Sequence, residues 1–228
     1  MTGGNENMCI EARISPIPQC FEYLPGKDVI LGIPGKAFYR IETAFECQDE
    51  LTKTAVKILH DTLDGLLNVC SDCADGDVTI TLAIGEAPEG IKNPDQGYSI
   101  EVSDNSIKVT GFGTEGLYYG VITLKQCLQV EENVLKLLCM KILDWPNMKT
   151  RGHFMESRYG SNLMTLDDWK YLVDHMANMK MNQLVVSVYG CWCVQYHGRV
   201  SEYLYVPIKK YPKLKTPVVI RYYSPTKR

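Results

Sequence analysis

Several features that would quickly assign a function class are missing from this 228-residue sequence. No apolar run approaches the ~20 residues that a membrane-spanning helix needs. The formal net charge of −3 at pH 7 provides no positive excess for binding nucleic acid or an anionic membrane. The first 15 residues lack the basic and apolar regions of a signal peptide. We therefore predict a cytoplasmic protein with neither nucleic-acid nor membrane partners.

Metal ligands are scarce as well. The 4 histidines are far apart, and the 9 cysteines include a single CxxC pair, Cys70 and Cys73. A structural zinc site needs a second such pair or two histidines at ligand spacing. Because the number of cysteines is odd and several lie inside apolar runs, the sequence favours free thiols in a reducing compartment. We predict no metal and no cofactor.

The first 145 residues predict a small α+β domain. Apolar residues recur at helical spacing over 47–67 and over 114–128. Residues 77–84 alternate as a strand does, and Asp104–Asn105 is favourable hairpin-turn chemistry between two further β-like runs. We expect the hairpin and two helices on one face of a sheet.

The predicted elements also assign a core and a last strand. Residues 133–146 are predicted as one strand ended by Pro146. The inward-facing residues of the two helices are predicted as Leu51, Ala55, Ile58, Leu59, Leu63 and Leu66, and as Leu117, Tyr118, Val121, Leu124 and Leu128.

Gly111, Gly113 and Gly116 have the GxGxxG spacing of a phosphate-binding loop. A strand precedes them and a helix follows, as that fingerprint requires. However, the preceding strand lies in the predicted hairpin rather than in a parallel strand–helix–strand unit. We therefore interpret the glycines as a tight strand-to-helix turn in which side chains would clash.

Residues 151–190 carry the pattern around which the chain is organised. A short apolar run at 151–155 is followed by an amphipathic helix and by an unbroken apolar run after Asn182. Thr165 is a good N-cap, and Asp168 stands three residues later, where a capping box places its acid. Strand, helix and unbroken apolar strand predict a parallel unit buried on both faces. The helix positions predicted to face inward are Trp169, Leu172, Val173, Met176 and Met179.

The stretch GTEGLYYGVITLKQCLQ, followed by KILDWPNMKTRGHFMESR, resembles the family 20 glycoside hydrolases, the β-N-acetylhexosaminidases. In that family an α+β domain ends in a helix of G-x-x-x-G-x-x-T-L-x-Q type. An I-x-D-x-P segment follows, and R-G then begins the first strand of a (β/α)8 barrel, with K-x-N before the second. The matching residues are Gly116, Gly120, Thr123, Leu124, Gln126, Asp144, Pro146, Arg151, Gly152, Lys180 and Asn182.

The resemblance implies an architecture and two substrate-binding residues. Residues 1–145 would be the α+β supporting domain, and 146–228 would begin a barrel that needs about 250 residues to close. Arg151 would grip hydroxyls of a terminal N-acetylhexosamine, for which a guanidinium fork is suited. Glu156 stands where the family more often has Asp; alternatively, it pairs with Arg151.

The resemblance also implies a reaction that this stretch cannot complete. Family 20 enzymes use the 2-acetamido oxygen of the substrate as nucleophile, assisted by a protein acid and a polarising carboxylate. Asp167–Asp168 cap a helix and Glu131–Glu132 lie in a turn, so we assign no catalytic residue. The predicted function is the front portion of a retaining hexosaminidase acting on N-acetylhexosamine-containing glycans, inactive by itself, with self-association favoured at exposed barrel edges.

Three alternatives remain open. The O-GlcNAcase-like family is a close rival, because its R-G-x-x-E-x-x-Y-G pattern matches Arg151, Gly152, Glu156, Tyr159 and Gly160. Another barrel glycosidase with a similar front domain, such as an α-glucuronidase type, is a second. The third is a non-catalytic carbohydrate-binding or protein-interaction module with an aromatic surface. That surface would comprise Trp192, Tyr196, Tyr203 and Tyr205.

Overall fold

The computed structural model describes residues 13–24, 26–45, 49–70, 76–155, 164–186, 195–196 and 199–200. The chain divides into two compact units. The first consists of Met1–Lys149 with Asn178–Lys180, and the second of Thr150–Ala177 with Met181–Arg228. The predicted domain bounds, 1–145 and 146–228, stay a prediction. No helix in the described part of the chain is long and apolar enough to cross a membrane.

The first unit is an α+β domain, as predicted. Its helices are α1 (Glu50–Leu67) and α2 (Thr114–Cys127). Its strands are β1 (Cys20–Tyr23), β2 (Val29–Ile33), β3 (Lys36–Ala37), β4 (Tyr39–Thr43), β5 (Val78–Ile84), β6 (Tyr98–Ser103), β7 (Ser106–Gly111), β8 (Gln129–Glu131), β9 (Val134–Leu137) and β10 (Met140–Asp144).

Six of these strands form one mixed sheet in the order β1-β10-β6-β7-β5-β4. The predicted hairpin is present: β6 and β7 are antiparallel, and Ser103 pairs with Ser106 across the turn. Strands β4, β5 and β7 are mutually parallel, whereas β1, β10 and β6 are antiparallel to their neighbours. The helix α1 makes the crossover between parallel β4 and β5.

The six-stranded sheet is buried on one face only. Alternate residues of its central strands, such as Ile100, Val102, Ile107 and Val109, are 0% exposed. The residues between them, including Ser99, Glu101 and Lys108, are half-buried or exposed. This period of two is that of an antiparallel sheet with one solvated side. The solvated side is called the outer face below.

Both predicted helices are present, but a few of their residues were predicted to face inward and do not do so fully. Helix α1 begins at Glu50 because the Asp49 side chain caps the N–H groups of Leu51 and Thr52. Its buried face includes Leu67, whereas Leu66, predicted inward, is 40% exposed. Two further residues predicted inward on α2 and at its end are only partly buried: Tyr118 and Leu128.

The single strand predicted over 133–146 is wrong. It is two strands, β9 and β10, that belong to different sheets. Strand β9 forms a hairpin with β8 and lies in a second, four-stranded antiparallel sheet of order β3-β2-β9-β8. This second sheet was not predicted. It explains why Leu67, which was not predicted to face inward, is buried: its side chain lies close to Gly32 of β2.

The second unit begins with the predicted parallel strand–helix–strand arrangement. Strand β11 (Gly152–Met155) leads to α3 (Leu166–Asn178) and then to β12 (Gln183–Val186). Strands β11 and β12 are parallel, with Gly152 opposite Gln183. Two short antiparallel strands follow, β13 (Gln195–Tyr196) and β14 (Arg199–Val200).

The predicted burial of this unit is wrong for most of its described residues. Met176 is buried, but Val173 is 50% exposed, and Trp169 and Leu172 are half-buried. On the strands, Phe154 is 60% and Val185 is 41% exposed. The apolar pattern is that of a core, yet the described residues do not supply the surface that would cover it.

Candidate functional site

The predicted substrate-binding residue Arg151 lies immediately before β11 and is fixed at its backbone. The Arg151 N–H donates to Asn182 Oδ1 at 2.8 Å. In return, the Asn182 and Gln183 N–H groups donate to the Arg151 carbonyl at 2.8 and 3.1 Å. The R-G and K-x-N motifs are therefore in direct contact through Arg151 and Asn182, and this contact fixes the relative position of the two parallel strands.

Gly152 is required by the close approach of the same strands. A Cβ at this position would lie 2.6 Å from the Gln183 carbonyl oxygen, closer than real Cβ atoms approach backbone. The R-G dipeptide thus combines a cationic side chain with a residue that permits tight parallel pairing.

The other predicted substrate-binding residue, Glu156, lies outside the described residues, as do Tyr159 and Gly160 of the O-GlcNAcase-like pattern. The side chains of the proposed aromatic surface, Trp192, Tyr196, Tyr203 and Tyr205, lie outside them too. The roles of these residues and the assignment of Arg151 stay predictions.

The acidic pair at Asp167–Asp168 serves the helix, as expected. The Thr165 N–H and hydroxyl donate to Asp168 Oδ2 at 2.7 and 2.8 Å, and the Asp168 N–H donates back to the Thr165 hydroxyl at 3.2 Å. This is a capping box with Asp in the acidic position. The donated backbone N–H of Thr165 lowers the pKa of Asp168. Asp167 pairs with Lys170 at 3.2 Å.

Glu131–Glu132, the other acidic pair, also has a structural role. Glu131 is the last residue of β8, and Glu132 lies in the turn before β9, where Glu132 and Asn133 have φ of 50° and 63°. Glu131 pairs with Lys136 of β9 at 2.8 Å. Asp167, Asp168 and Glu131 are thus engaged in contacts within their own helix or hairpin.

A buried polar cluster in the first unit collects several of the motif residues. It consists of Tyr98 on β6, Thr123 on α2, Asp144 at the end of β10, and Lys180. Lys180 Nζ lies 2.7 Å from the Tyr98 hydroxyl and 3.2 Å from Asp144 Oδ2. The Lys180 and Asp144 side chains are only 6% and 11% exposed. Asp144, Thr123 and Lys180 are therefore joined in one network.

The hydrogen bonds of this cluster define its protonation. The Tyr98 hydroxyl donates to Asp144 Oδ2 at 2.6 Å and accepts from Lys180. Because Tyr98 has one proton, the Thr123 hydroxyl, 2.6 Å away, must donate to it. Burial, and next the charge of Asp144, raise the pKa of Tyr98 well above its ordinary value. Tyr98 is thus neutral, and the ammonium of Lys180 balances the carboxylate of Asp144.

Cys127 lies on the same helix, near this cluster, and is chemically quiet. Burial raises the pKa of its thiol to about 12, against the opposing charge of Lys180. A thiol with this pKa is protonated at neutral pH and therefore a poor nucleophile. The cluster and Cys127 are too deeply buried for a substrate to reach, so we assign them a structural role.

Gln126, the last residue of the helix motif, ties two segments to α2. Its amide exchanges two hydrogen bonds of 3.0 Å with the backbone of Ser15, and its Nε2 also donates to the Asn178 carbonyl at 3.0 Å. Sequence reasoning matched this motif without finding its contacts. The signal in the sequence was that the polar residues Thr123 and Gln126 follow the apolar run of α2.

The glycines before α2 support the tight-turn interpretation. A Cβ at Gly116 would lie 2.0 Å from the Gly97 carbonyl oxygen, and one at Gly113 would lie 2.6 Å from the Asp95 carbonyl. Backbone therefore fills the space that a phosphate would need. Among the described residues, no group of three or more His, Cys, Asp or Glu side chains could hold a metal ion.

These features define a class of protein: an α+β domain followed in the chain by a parallel strand–helix–strand unit that begins with an anchored arginine. The family described as "Glycosyl hydrolase family 20, domain 2" matches residues 12–145. This is more than half of the chain, and the chain belongs to glycosyl hydrolase family 20. The predicted resemblance is confirmed; the rivalry of the O-GlcNAcase-like family stays open.

Similar proteins extend the match beyond this domain. A "Beta-hexosaminidase" of Porphyromonas gingivalis is 25% identical in an alignment 192 residues long, which covers 76% of this chain and 23% of that protein. The β-N-acetylhexosaminidase of Streptomyces coelicolor A3(2) is similar in structure, with a TM-score of 0.59 and 20% identity over 78% of this chain and 35% of that one. A Vibrio harveyi exo β-N-acetylglucosaminidase in complex with N-acetylglucosamine has the same TM-score and identity, with 26% of its chain covered.

Identities of 20% relate the solved structures to this chain by fold alone. The chain spans between about a quarter and a third of the length of the relatives it matches.

Proposed function

We propose that this chain supplies the second domain and the first barrel unit of a glycosidase that removes N-acetylhexosamine from glycans. The observation that carries the proposal is the parallel β11–α3–β12 unit, which directly follows a family 20 domain and has Arg151 at its start. An N-acetylhexosamine glycan is the proposed substrate, in keeping with the activities in the names of the similar proteins.

The proposed mechanism is substrate-assisted and retaining. The acetamido oxygen of the sugar attacks the anomeric carbon while an acid protonates the leaving oxygen. The protein must supply that acid and a carboxylate that polarises the acetamide. The adjacent acids of the described chain are engaged in a helix cap and a hairpin turn. We therefore propose that the 228 residues alone do not hydrolyse glycosides.

Arg151 is the proposed sugar-binding residue. A guanidinium offers five donors in a fixed fork, which suits two adjacent hydroxyls. Support comes from the backbone, since hydrogen bonds to Asn182 and Gln183 hold this residue on both its N–H and its carbonyl. Glu156 is proposed as a second contact with the sugar or as a partner that orients Arg151.

The activity is tested on an aryl N-acetylglucosaminide. We expect no turnover by the 228-residue chain. We expect turnover by a fusion in which residues 1–186 of this chain are followed by the remaining barrel units of a family 20 enzyme. Turnover by the 228 residues that disappears when one of their own acids is replaced would refute the proposal.

The role of Arg151 is tested in the active, longer protein. Losing charged hydrogen bonds to sugar hydroxyls costs roughly 1.5–3 kcal/mol, or about 10- to 150-fold in kcat/KM for Arg151→Ala. Lys149→Ala is the matched control, because Lys149 is a nearby exposed cation that should not affect kcat/KM. An unchanged kcat/KM for a correctly folded Arg151→Ala variant would show that this residue does not bind the sugar.

A non-catalytic carbohydrate-binding module is the second candidate. The observation in its favour is that the acidic pairs at 131–132 and 167–168 lie in a hairpin and a helix cap, and binding requires no catalytic acid. A reading frame that ends at Arg228 would favour the module, whereas one that continues with six further strand–helix repeats would favour the enzyme.

We also propose that the isolated chain self-associates through its second unit. Among the described residues, β11 and β12 pair only with each other, and Phe154 and Val185 are exposed on them. Unpaired edges with apolar side chains favour pairing between chains. Sedimentation should show a mass that rises with concentration, and Phe154→Ser should reduce this rise.

A further inference from the structure

The outer face of the six-stranded sheet contains a groove that the proposed function does not use. It lies wholly in the first unit and has a volume of about 890 Å³. That volume is within the range of pockets that bind small ligands. The groove crosses β1, β10, β6 and β7, and one end meets the loop after β5.

The floor of the groove is a row of side chains in register. Cys20 pairs with Leu143, Leu143 with Ser99, and Ser99 with Thr110. Because facing residues of adjacent strands point to the same side, all four belong to the outer face. Four strands spaced about 4.8 Å apart give a floor about 14 Å long.

One wall of the groove is charged. A second row of paired side chains lies two residues further along each strand. In this row Glu22 pairs in register with Lys141, and Lys141 pairs with Glu101. Lys141 Nζ lies 3.1 Å from Glu101 Oε1, and both side chains are about half exposed. The ammonium is thus already engaged by one carboxylate.

The other wall is formed by a loop and an aromatic residue. Gly85, Glu86 and Pro88 follow β5, and Phe112 follows β7. The Gly85 N–H donates to the Gly111 carbonyl at 3.0 Å, which holds the loop against the sheet. Glu86 is exposed, and Phe112 is half-buried. This wall therefore combines a carboxylate with apolar surfaces.

The chemistry of the groove selects among ligand classes. Three carboxylates against one ammonium oppose nucleic acid and phosphate. A peptide cannot pair as an added strand with β10, β6 or β7 on the groove floor, because each of these already has partners on both sides. A floor with two hydroxyls does not suit a lipid chain. A compact ligand with hydroxyls, apolar faces and positive charge complements all of these features.

We propose that this groove binds oligosaccharides that carry free amino groups, such as oligomers of glucosamine. Glu22 and Glu86 receive the ammonium groups, Ser99 and Thr110 hydrogen-bond sugar hydroxyls, and Phe112 packs against an apolar sugar face. The choice of amino sugars rests on the proposed function, whereas the choice of a cationic ligand rests on the excess of carboxylates.

Titration calorimetry of the 228-residue chain with three tetrasaccharides, of glucosamine, N-acetylglucosamine and glucose, tests the proposal. At about pH 6 and low salt we expect glucosamine tetramer to bind roughly tenfold more tightly than the other two. This preference should fall in high salt, which screens exposed charges. Each of Glu22→Gln and Glu86→Gln should weaken glucosamine tetramer about threefold, the range of exposed ion pairs.

A variant that blocks the groove tests whether the tetrasaccharide binds there. Thr110→Trp places a large ring on the floor and should remove binding, whereas Thr81→Trp adds the same ring to the outer face away from the groove and should not. Circular dichroism identifies a variant that fails to fold, in which case the two glutamine variants decide.

Equal binding of the three tetrasaccharides, or undiminished binding in Glu22→Gln/Glu86→Gln, would overturn the proposal. The hydrolysis assay is independent of this result. If groove variants lose binding but leave hydrolysis by the longer protein intact, the groove is the binding site. If the longer protein binds the tetrasaccharide but does not hydrolyse glycosides, the proposed function is wrong and the groove proposal stands.

Discussion

The two units of this chain have the same kinds of sequence pattern and very different burial. In the first unit, side chains from both sheets and both helices form one core, with Leu31, Leu63 and Leu137 at 0% exposure. In the second, Met176 is the one buried residue among the described side chains. The comparison teaches that periodicity reports which face is apolar, whereas burial requires a partner element.

The largest effect is expected at the buried cluster of the first unit. Lys180→Met leaves Asp144 charged, buried and without its cation, which costs about 3–5 kcal/mol of unfolding free energy. Urea unfolding measures this loss. The double variant Lys180→Met/Asp144→Leu should lose less than the single one, because it removes both charges.

Lys57→Ala is the matched control for that prediction. Lys57 makes an exposed pair with Asp61 on α1, so its removal should not change stability measurably. If Lys180→Met were as mild as Lys57→Ala, the cluster would not stabilise the first unit.

The second effect compares apolar truncation in the two units. Leu63→Ala in the first unit should cost about 2–5 kcal/mol, because it leaves a cavity in a closed core. Val173→Ala in α3 removes a side chain that is 50% exposed and should cost less than about 0.5 kcal/mol. Thermal unfolding of both variants measures the difference. Similar losses would show that α3 is covered in the isolated chain.

The third effect tests close packing at α2. Gly116→Ala inserts a methyl group 2.0 Å from the Gly97 carbonyl, and overpacking of this kind costs about 1–3 kcal/mol. Gly65→Ala is the control on α1, where a Cβ meets nothing within 4 Å. That control should gain up to about 1 kcal/mol from helix propensity. Equal stability of the two variants would contradict the packing described here.

The smallest effect is the pH dependence of the two carboxylate caps. The Thr52 backbone N–H lowers the pKa of Asp49, and that of Thr165 lowers the pKa of Asp168. Each cap therefore stabilises its helix above the unfolded pKa of about 3.9, and loses this contribution as pH falls through the lower folded pKa. NMR titration of both carboxyls checks the direction. A folded-state pKa at or above the unfolded value would show that the carboxylate does not stabilise the end of its helix.

Local signals explain why much of the fold was predictable. The cap at Thr165, the helical periods and the Asp104–Asn105 turn depend on neighbours in sequence, and each is found in the structure. The break between β9 and β10 was not predictable, because Leu138 and Cys139 are apolar and do not interrupt the apolar run. That break is fixed from a distance, where the Leu24 N–H donates to the Cys139 carbonyl.

The candidate site divides in the same way. Spaced motifs identified Asp144, Lys180, Arg151 and Asn182 as a set, but no pattern indicated which of them touch. Tyr98 was missed altogether, because one tyrosine in an alternating strand is an ordinary core residue. Its role depends on three partners that are 25 to 82 residues away in sequence.

Amide hydrogen exchange on the 228-residue chain tests the central claim most directly, which is that the first unit has a closed core, whereas the described strands and helix of the second unit leave apolar side chains exposed. We predict that amides of β6, β7 and α2 exchange only with global unfolding, and that those of β11, β12 and α3 exchange through local opening at far lower free energy. Equal protection of the two sets would contradict the account.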